Sequence, residues 1–134
     1  MLQGFLHVSK SRGLMCALSA SWFAALSMLM KSIGIRFFTR RVYDFELILD
    51  LQDKGISRGL MLFAERELEH REMLKQIVRP GMRIFDIGAN IGYYAIMESK
   101  MVGEEGTVIA IEPSPSNIGL LKRNLAKNKT TIIR

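Results

Sequence analysis

The hydrophobic positions along this sequence change texture several times, and each texture predicts a different element. From Gly13 to Met30 the run GLMCALSASWFAALSMLM carries no charge and predicts one apolar helix, ended by Gly34. Val42 to Leu51, VYDFELILDL, mixes alternation with β-formers and predicts a strand or strand pair that enters a turn at Asp53-Lys54-Gly55. From Ser57, a candidate cap, to Val78, the apolar residues Leu60, Phe63, Ala64, Leu68, Leu74, Ile77 and Val78 recur at helical spacing among mixed charges. They predict one amphipathic helix, stopped by Arg79-Pro80-Gly81. Beyond that stop the runs shorten. A strand over 82–87 turns through glycines into a helix over 91–101, with Ile91, Tyr94, Ala95 and Met97 or Glu98 along its stripe. A break at Gly103-Glu104-Glu105-Gly106 precedes a strand over 107–111, and Ser114-Pro115, cap and first helical position, opens a helix to Asn128. A third strand is expected over 130–133. Strand, helix, strand, helix, strand is the pattern of an α/β fold with a parallel sheet.

Charge sharpens this division. The net charge is +6, yet residues 1–43 hold six basic residues (Lys10, Arg12, Lys31, Arg36, Arg40, Arg41) and no acid, so the remainder is neutral. The sequence therefore reads as a helical basic and apolar leader over 1–42, a strand and helix approach over 43–79, and an α/β domain over 80–134. A basic tract around an apolar helix suits an anionic membrane surface better than nucleic acid, because no recognition element for bases accompanies it. Both flanks of the helix are basic, Ser19, Ser21 and Ser27 dilute its hydrophobicity, and no small-x-small cleavage site follows. A buried or interfacial helix is expected in preference to a membrane anchor or a cleaved signal, with membrane-surface contact through residues 13–41 and an otherwise cytoplasmic location. One cysteine, Cys16, excludes an internal disulfide, and His7 and His70 offer no metal-ligand spacing, so no metal is expected.

The candidate chemistry lies in Phe85-Asp86-Ile87-Gly88-Ala89-Asn90-Ile91-Gly92, a strand that turns into a helix N-terminus. In such units a ligand binds outside the carboxyl ends of the strands, where glycines let it approach the backbone. The spacing G-x-x-x-G misses the dinucleotide fingerprint G-x-G-x-x-G, and Asp86 would repel a diphosphate. The same carboxylate suits a ligand that bears an ammonium and a sulfonium, as S-adenosylmethionine does. Glu112 ends the next strand, where a carboxylate accepts hydrogen bonds from vicinal ribose hydroxyls. That spacing by itself admits an adenosyl ligand or NAD.

The segments Pro80-Gly81-Met82 through FDIGANIGYY, Val102-Gly103 to Gly106, AIEPSPSN over 110–117, and Leu121 to Asn124 resemble the FkbM family of class I methyltransferases, with Leu49-Asp50 to Ser57 and Arg66 to Glu69 resembling the approach to the site. The resemblance covers roughly residues 43–134. It implies a Rossmann-like class I methyltransferase fold, incomplete and represented by its first βαβαβ portion, with S-adenosylmethionine as cofactor. It places Asp86, Gly88, Ala89, Asn90 and Gly92 on the methionine side and Glu112 on the ribose. Tyr93, Tyr94 and Asn117 match in pattern without assigned roles. The acceptor implied is an oxygen of a small molecule or glycan. No residue is assigned as catalytic, and the chain is expected to be the cofactor-binding half of a truncated enzyme, inactive by itself. Two other readings stay open: a non-catalytic membrane or interaction module derived from a methyltransferase, and an NAD-binding module.

Overall fold

The computed structural model describes residues 2–130 and 132–133. Its elements run α1 (Leu2–Arg12), α2 (Leu14–Ser32), β1 (Phe37–Val42), β2 (Phe45–Asp50), α3 (Ile56–Phe63), α4 (Leu68–Ile77), β3 (Arg83–Ile87), α5 (Tyr93–Val102), β4 (Thr107–Ile111), α6 (Pro115–Lys127) and β5 (Ile132–Ile133). Contacts divide the chain into two compact units, Met1–Val42 with Leu49–Arg66, and Tyr43–Ile48 with Glu67–Arg134.

In the first unit the uncharged run forms α2, and Gly34, at φ 82°, follows its end. Ala17 and Ala20 are buried, whereas Leu14, Met15, Leu18, Trp22, Met28 and Leu29 are exposed. β1 and β2 make a two-stranded sheet. The Leu51 amide donates to the Arg36 carbonyl at 2.8 Å, and the Arg36 guanidinium sits 2.9 Å from Asp50. The strand pair thus begins at Phe37, earlier than the alternation suggested, and turns at Tyr43 and Asp44, with Tyr43 at φ 54°. At the start of α3, the Asp53 carboxylate accepts from the Gly55 amide at 2.7 Å and the Ser57 amide at 2.8 Å. This is the capping work expected of Ser57, whose Oγ accepts from the Asp50 amide instead.

The single helix expected over 57–78 is two. Ala64 and Glu67 both adopt left-handed backbone conformations, at φ 54° and 49°, which stop α3 and start α4. Neither glycine nor proline marks this break, so local sequence carries no signal for it.

In the second unit β3, β4 and β5 form a parallel sheet in that order, with Arg83 opposite Thr107 and Ile87 opposite Ile111. The central strand, β4, is paired on both edges and covered on one face, where Val108 is fully buried and Ala110 nearly so; on its other face Ile111 is exposed. Ala89, Ala95, Val102, Val108, Ala110 and Leu121 form the core, with Val78, Ile84 and Leu125 packed against it. Ile84 thereby faces α5 and α6, while its neighbours on the alternate face, Phe85 and Ile87, are exposed. Among the described residues β3 pairs with β4 alone.

Two asparagines one turn apart, Asn124 on α6 and Asn128 at its C-terminal cap, bind the backbone of β2 as a further strand would. Asn128 accepts from the Glu46 amide at 3.0 Å and donates to its carbonyl at 2.7 Å. Asn124, fully buried, accepts from the Ile48 amide at 2.7 Å and donates to the carbonyls of Ile48 and Ile91 at 3.3 and 2.8 Å.

Candidate functional site

The turn after β3 is stitched to the end of β4. The amides of Gly88 and Ala89 both donate to the Ile111 carbonyl, at 2.8 and 3.1 Å, and the Gly92 amide closes the turn on the Ala89 carbonyl at 2.8 Å. These bonds fix the carboxyl ends of β3 and β4 side by side, which brings Asp86 and Glu112 to one edge of the sheet.

The two glycines differ in purpose. Gly88 has φ +84°, and a Cβ there would meet nothing within 4 Å. Gly92 has φ +91°, and a Cβ there would lie 2.7 Å from Leu121 Cδ1 and 3.6 Å from Ile96 Cδ1. Gly92 is thus needed for the close approach of α5 to α6, and Gly88 leaves open space beside the turn. Between them Ala89 is buried in the core and Asn90 adopts φ 52°.

Glu112 is held by the chain around it. Its Oε2 accepts from the Asn90 amide at 2.8 Å, and its Oε1 accepts from the Ser114 amide at 2.9 Å and Asn117 Nδ2 at 3.3 Å. Burial raises the pKa of this carboxyl, but the hydrogen bonds from Ser114, Asn90 and Asn117 outweigh it and hold the group below the ordinary carboxylate value. Asn117 therefore has a definite place, as a donor that orients Glu112.

Asp86 is the opposite case. Its Oδ2 is buried with no hydrogen-bond partner among the described residues. Burial pushes its pKa up and Glu112 adds to the rise, against a hydrogen bond from the Ala95 amide and the charge of His70. A buried carboxylate oxygen without a donor is costly unless something cationic or donating reaches it. A second carboxylate aggravates the cost: Glu98 on α5 is 6% exposed, its Oε2 has no partner among the described residues, and burial together with Asp86 pushes it up to about 7.

Around this pair stand groups that sequence reasoning did not assign. The Tyr94 hydroxyl donates to Glu67, and the Tyr94 ring lies 4.5 Å from that of His70. Tyr93 is wholly buried 6.2 Å from Phe45 and belongs to the packing. His70 lies 16 positions before Asp86 on a separate helix, so no spacing rule could have joined them. A cleft of ≈ 550 Å³ runs along α6, lined by Ile118, Leu121 and Leu125. Of the candidate residues only Glu112 borders it, so the charged groups converge at the turn and not in the cleft.

The observed groups fit the cofactor expected from the sequence. Asp86 offers an unmatched negative charge to an ammonium or sulfonium, Gly88 leaves room for close approach, and Glu112 is an ionised acceptor at the far end.

Comparison with known proteins bears on this geometry. By structure, the chain is similar to TYW2 of M. jannaschii in complex with AdoMet, with TM-score 0.59 and 25% identity over 73% of this chain and 42% of that one. A transferase-type protein of Pyrococcus horikoshii shares the fold, with TM-score 0.56 and 15% identity over 84% of this chain and 47% of that one. By sequence, it is 37% identical over 49 residues to protein-L-isoaspartate O-methyltransferase 1 of Archaeoglobus fulgidus, which is 37% of this chain and 23% of that protein. It is 40% identical over 47 residues to the Thermotoga maritima protein-L-isoaspartate O-methyltransferase, 35% of this chain and 15% of that protein. The matches thus span about a quarter or less of these relatives' length. They support a class I S-adenosylmethionine-dependent methyltransferase fold, incomplete as expected, and that cofactor class; they do not extend to the FkbM family. The sequence profile of another methyltransferase family matches residues 38–133, and by that match the chain belongs to the protein-L-isoaspartate(D-aspartate) O-methyltransferase (PCMT) family.

Proposed function

We propose that the turn from Asp86 to Gly92, with Glu112, holds S-adenosylmethionine, and that the protein serves methyl transfer to a carboxylate oxygen of a protein substrate of the isoaspartyl kind. The observation that carries the cofactor assignment is the buried, unpartnered Asp86 Oδ2 next to the open space at Gly88. The acceptor class rests on family membership and replaces the small-molecule or glycan acceptor that the FkbM resemblance implied.

When bound, the cofactor supplies an activated methyl group on a positively charged sulfur. Asp86 opposes the cofactor's positive charge in a partly dehydrated setting, where attraction exceeds its value in water. Gly88, Ala89 and Asn90 present backbone at the turn, Gly92 keeps that turn against α6, and Glu112 offers the lone pair left on its Oε2 to a ribose hydroxyl. Rate enhancement in such a displacement comes chiefly from positioning and exclusion of water.

Calorimetric titration with S-adenosylhomocysteine tests the cofactor site. Asp86→Asn is expected to weaken binding by about tenfold, the equivalent of one partly exposed ion pair. Because burial raises the Asp86 pKa, wild-type affinity should fall as pH falls through that raised value, and the Asn variant should lose this dependence. Equal affinity of the two proteins across pH would refute the assignment.

The glycines supply a second test. Gly92→Ala is expected to lower stability by about 1–3 kcal/mol in urea melts, chiefly because its positive φ strains an alanine, with Leu121 Cδ1 having to move aside for the methyl group. Gly88→Ala is expected to cost only about 1 kcal/mol of stability, through its positive φ, while weakening S-adenosylhomocysteine by an order of magnitude. Unchanged S-adenosylhomocysteine affinity in Gly88→Ala would remove that glycine from the cofactor site.

For the acceptor, a radiolabelled methyl group should appear on an isoaspartyl peptide and not on its aspartyl isomer, and should leave under mild alkali as an ester does. Label on a glycan or small-molecule hydroxyl, stable to alkali as an ether, would return the reading to an FkbM-type reaction.

A further inference from the structure

We infer that α2 seats the protein on an anionic lipid surface, lying in the headgroup region and not spanning the bilayer. The inference is independent of the methyl-transfer reading, because it rests on the first unit alone.

The helix has two faces of different character. Ala17 and Ala20 are buried, and Phe23, Ala24 and Ser27 are half-buried on the same side, where the Ser27 hydroxyl satisfies itself on the Ala24 carbonyl at 2.8 Å. Opposite them, Leu14, Leu18, Trp22, Leu29 and Ile33 follow one another at multiples of a helical turn and are all half or more exposed, with Met15 and Met28 alongside. Seven large apolar side chains on one helix face form a patch of the kind that monomeric soluble proteins rarely leave in water.

Charge selects the occupant. Lys10, in the last turn of α1, and Lys31, in the last turn of α2, are exposed on either side of the stripe along the chain; residues 1–43 contain no acid, and the Asp50 carboxylate feels the charge of Lys31. An apolar stripe framed by lysines matches the boundary between acyl chains and anionic headgroups, and a tryptophan in mid-stripe is the residue enriched at that depth. A protein partner or a second copy would have to neutralise the lysines by itself, whereas a lipid surface does so with its own headgroups.

Length and composition also permit α2 to span a bilayer, since its mean hydropathy is 1.5 over an 18-residue window. Its buried side argues for the surface. The Arg40 guanidinium, 9% exposed, stacks 3.4 Å from the Phe23 ring centre. Arg12, at the preceding turn, lies 3.0 Å from Glu65 and 4.7 Å from the Phe63 ring centre. Full insertion would either strip α2 from these arginines or carry Arg40 into hydrocarbon, which is costly. Lying flat keeps every such contact and covers only the exposed stripe.

Trp22 is the sole tryptophan, so the intact chain reports its own binding. Its emission should shift to the blue with vesicles of phosphatidylcholine containing phosphatidylglycerol, and hardly with phosphatidylcholine alone. Added salt should reverse the shift. Lys10→Gln and Lys31→Gln should each weaken partitioning about fivefold, as expected for one basic residue near an anionic surface. Leu18→Glu with Leu29→Glu should abolish it, with circular dichroism showing the helices retained. The lysine substitutions, on exposed side chains, keep the test valid if the leucine pair fails to fold. Three results would overturn the inference: no partitioning, or partitioning indifferent to lipid charge; retention in membranes through alkaline carbonate extraction, which would mean a spanning helix; or the same Trp22 shift on raising protein concentration without lipid, which would mean self-association.

Discussion

Asn124→Leu is expected to destabilise the second unit by about 3–5 kcal/mol. Leucine is similar in size, so the loss is not a cavity. It follows from three backbone groups left without partners: the Ile48 amide and the carbonyls of Ile48 and Ile91, all now bonded by one fully buried amide side chain. Each buried polar group stranded in this way costs about 1–3 kcal/mol, and leucine cannot replace any of the bonds. Asn124→Asp should be no milder, since one oxygen of its buried carboxylate would face the Ile48 and Ile91 carbonyls with no donor between them. Urea melts of the three proteins should place both variants well below wild type. A leucine variant as stable as wild type would mean that β2 does not depend on α6 for its outer edge.

The second large effect is a stability that declines as pH rises through neutrality. Glu98 has a folded pKa of about 7 against an ordinary 4.5, so between those values the folded protein keeps a proton that the unfolded chain has released. Stability from this group is complete below the unfolded value, falls as pH rises, and is fully lost above 7. At 1.36 kcal/mol per pH unit the loss comes to about 3 kcal/mol. Asp86, also raised by burial, acts in the same direction, and the two carboxyls titrate as a pair. Glu112 works the other way: its pKa is lowered, so its contribution is present above its unfolded value and disappears in acid. Glu98→Gln should therefore match wild type in mild acid and exceed it by about 3 kcal/mol near pH 8.5. Parallel pH profiles for the two proteins would show that Glu98 remains hydrated. The same substitution relieves Asp86 of a neighbouring charge, so it should also shift the pH dependence of cofactor binding toward acid.

What could be read from sequence divides along the range of the interactions. The turn at Asp86, Gly88 and Glu112 was legible as geometry because glycine spacing, strand ends and a helix start are local, and the structure brings these residues together at the carboxyl ends of β3 and β4. The helix start at Ser114-Pro115 and the order of strands and helices after Pro80 were legible for the same reason. The break at Ala64 and Glu67 was not, since two residues without special propensity take up left-handed backbone there. Nor was the role of Asn124, whose partners lie 33 and 76 residues away. Glu98 fell on the correct helical stripe, yet the pattern that marks a buried position says nothing of which other charge is buried beside it. Gly88 and Gly92 look equivalent in sequence and are told apart only by what a methyl group would strike.

The clamp on Glu112 bears on how a ligand would be received. Two amides and one side-chain amide already fix both of its oxygens, so the carboxylate has surrendered its rotamer freedom during folding. Capture of a ribose hydroxyl by the lone pair left on Oε2 needs no search by the side chain, and little conformational entropy is lost on complex formation. Asn117→Ala should accordingly leave the enthalpy of cofactor association nearly intact while making its entropy less favourable, and crystals grown with and without ligand should show the Glu112 carboxylate in the same place.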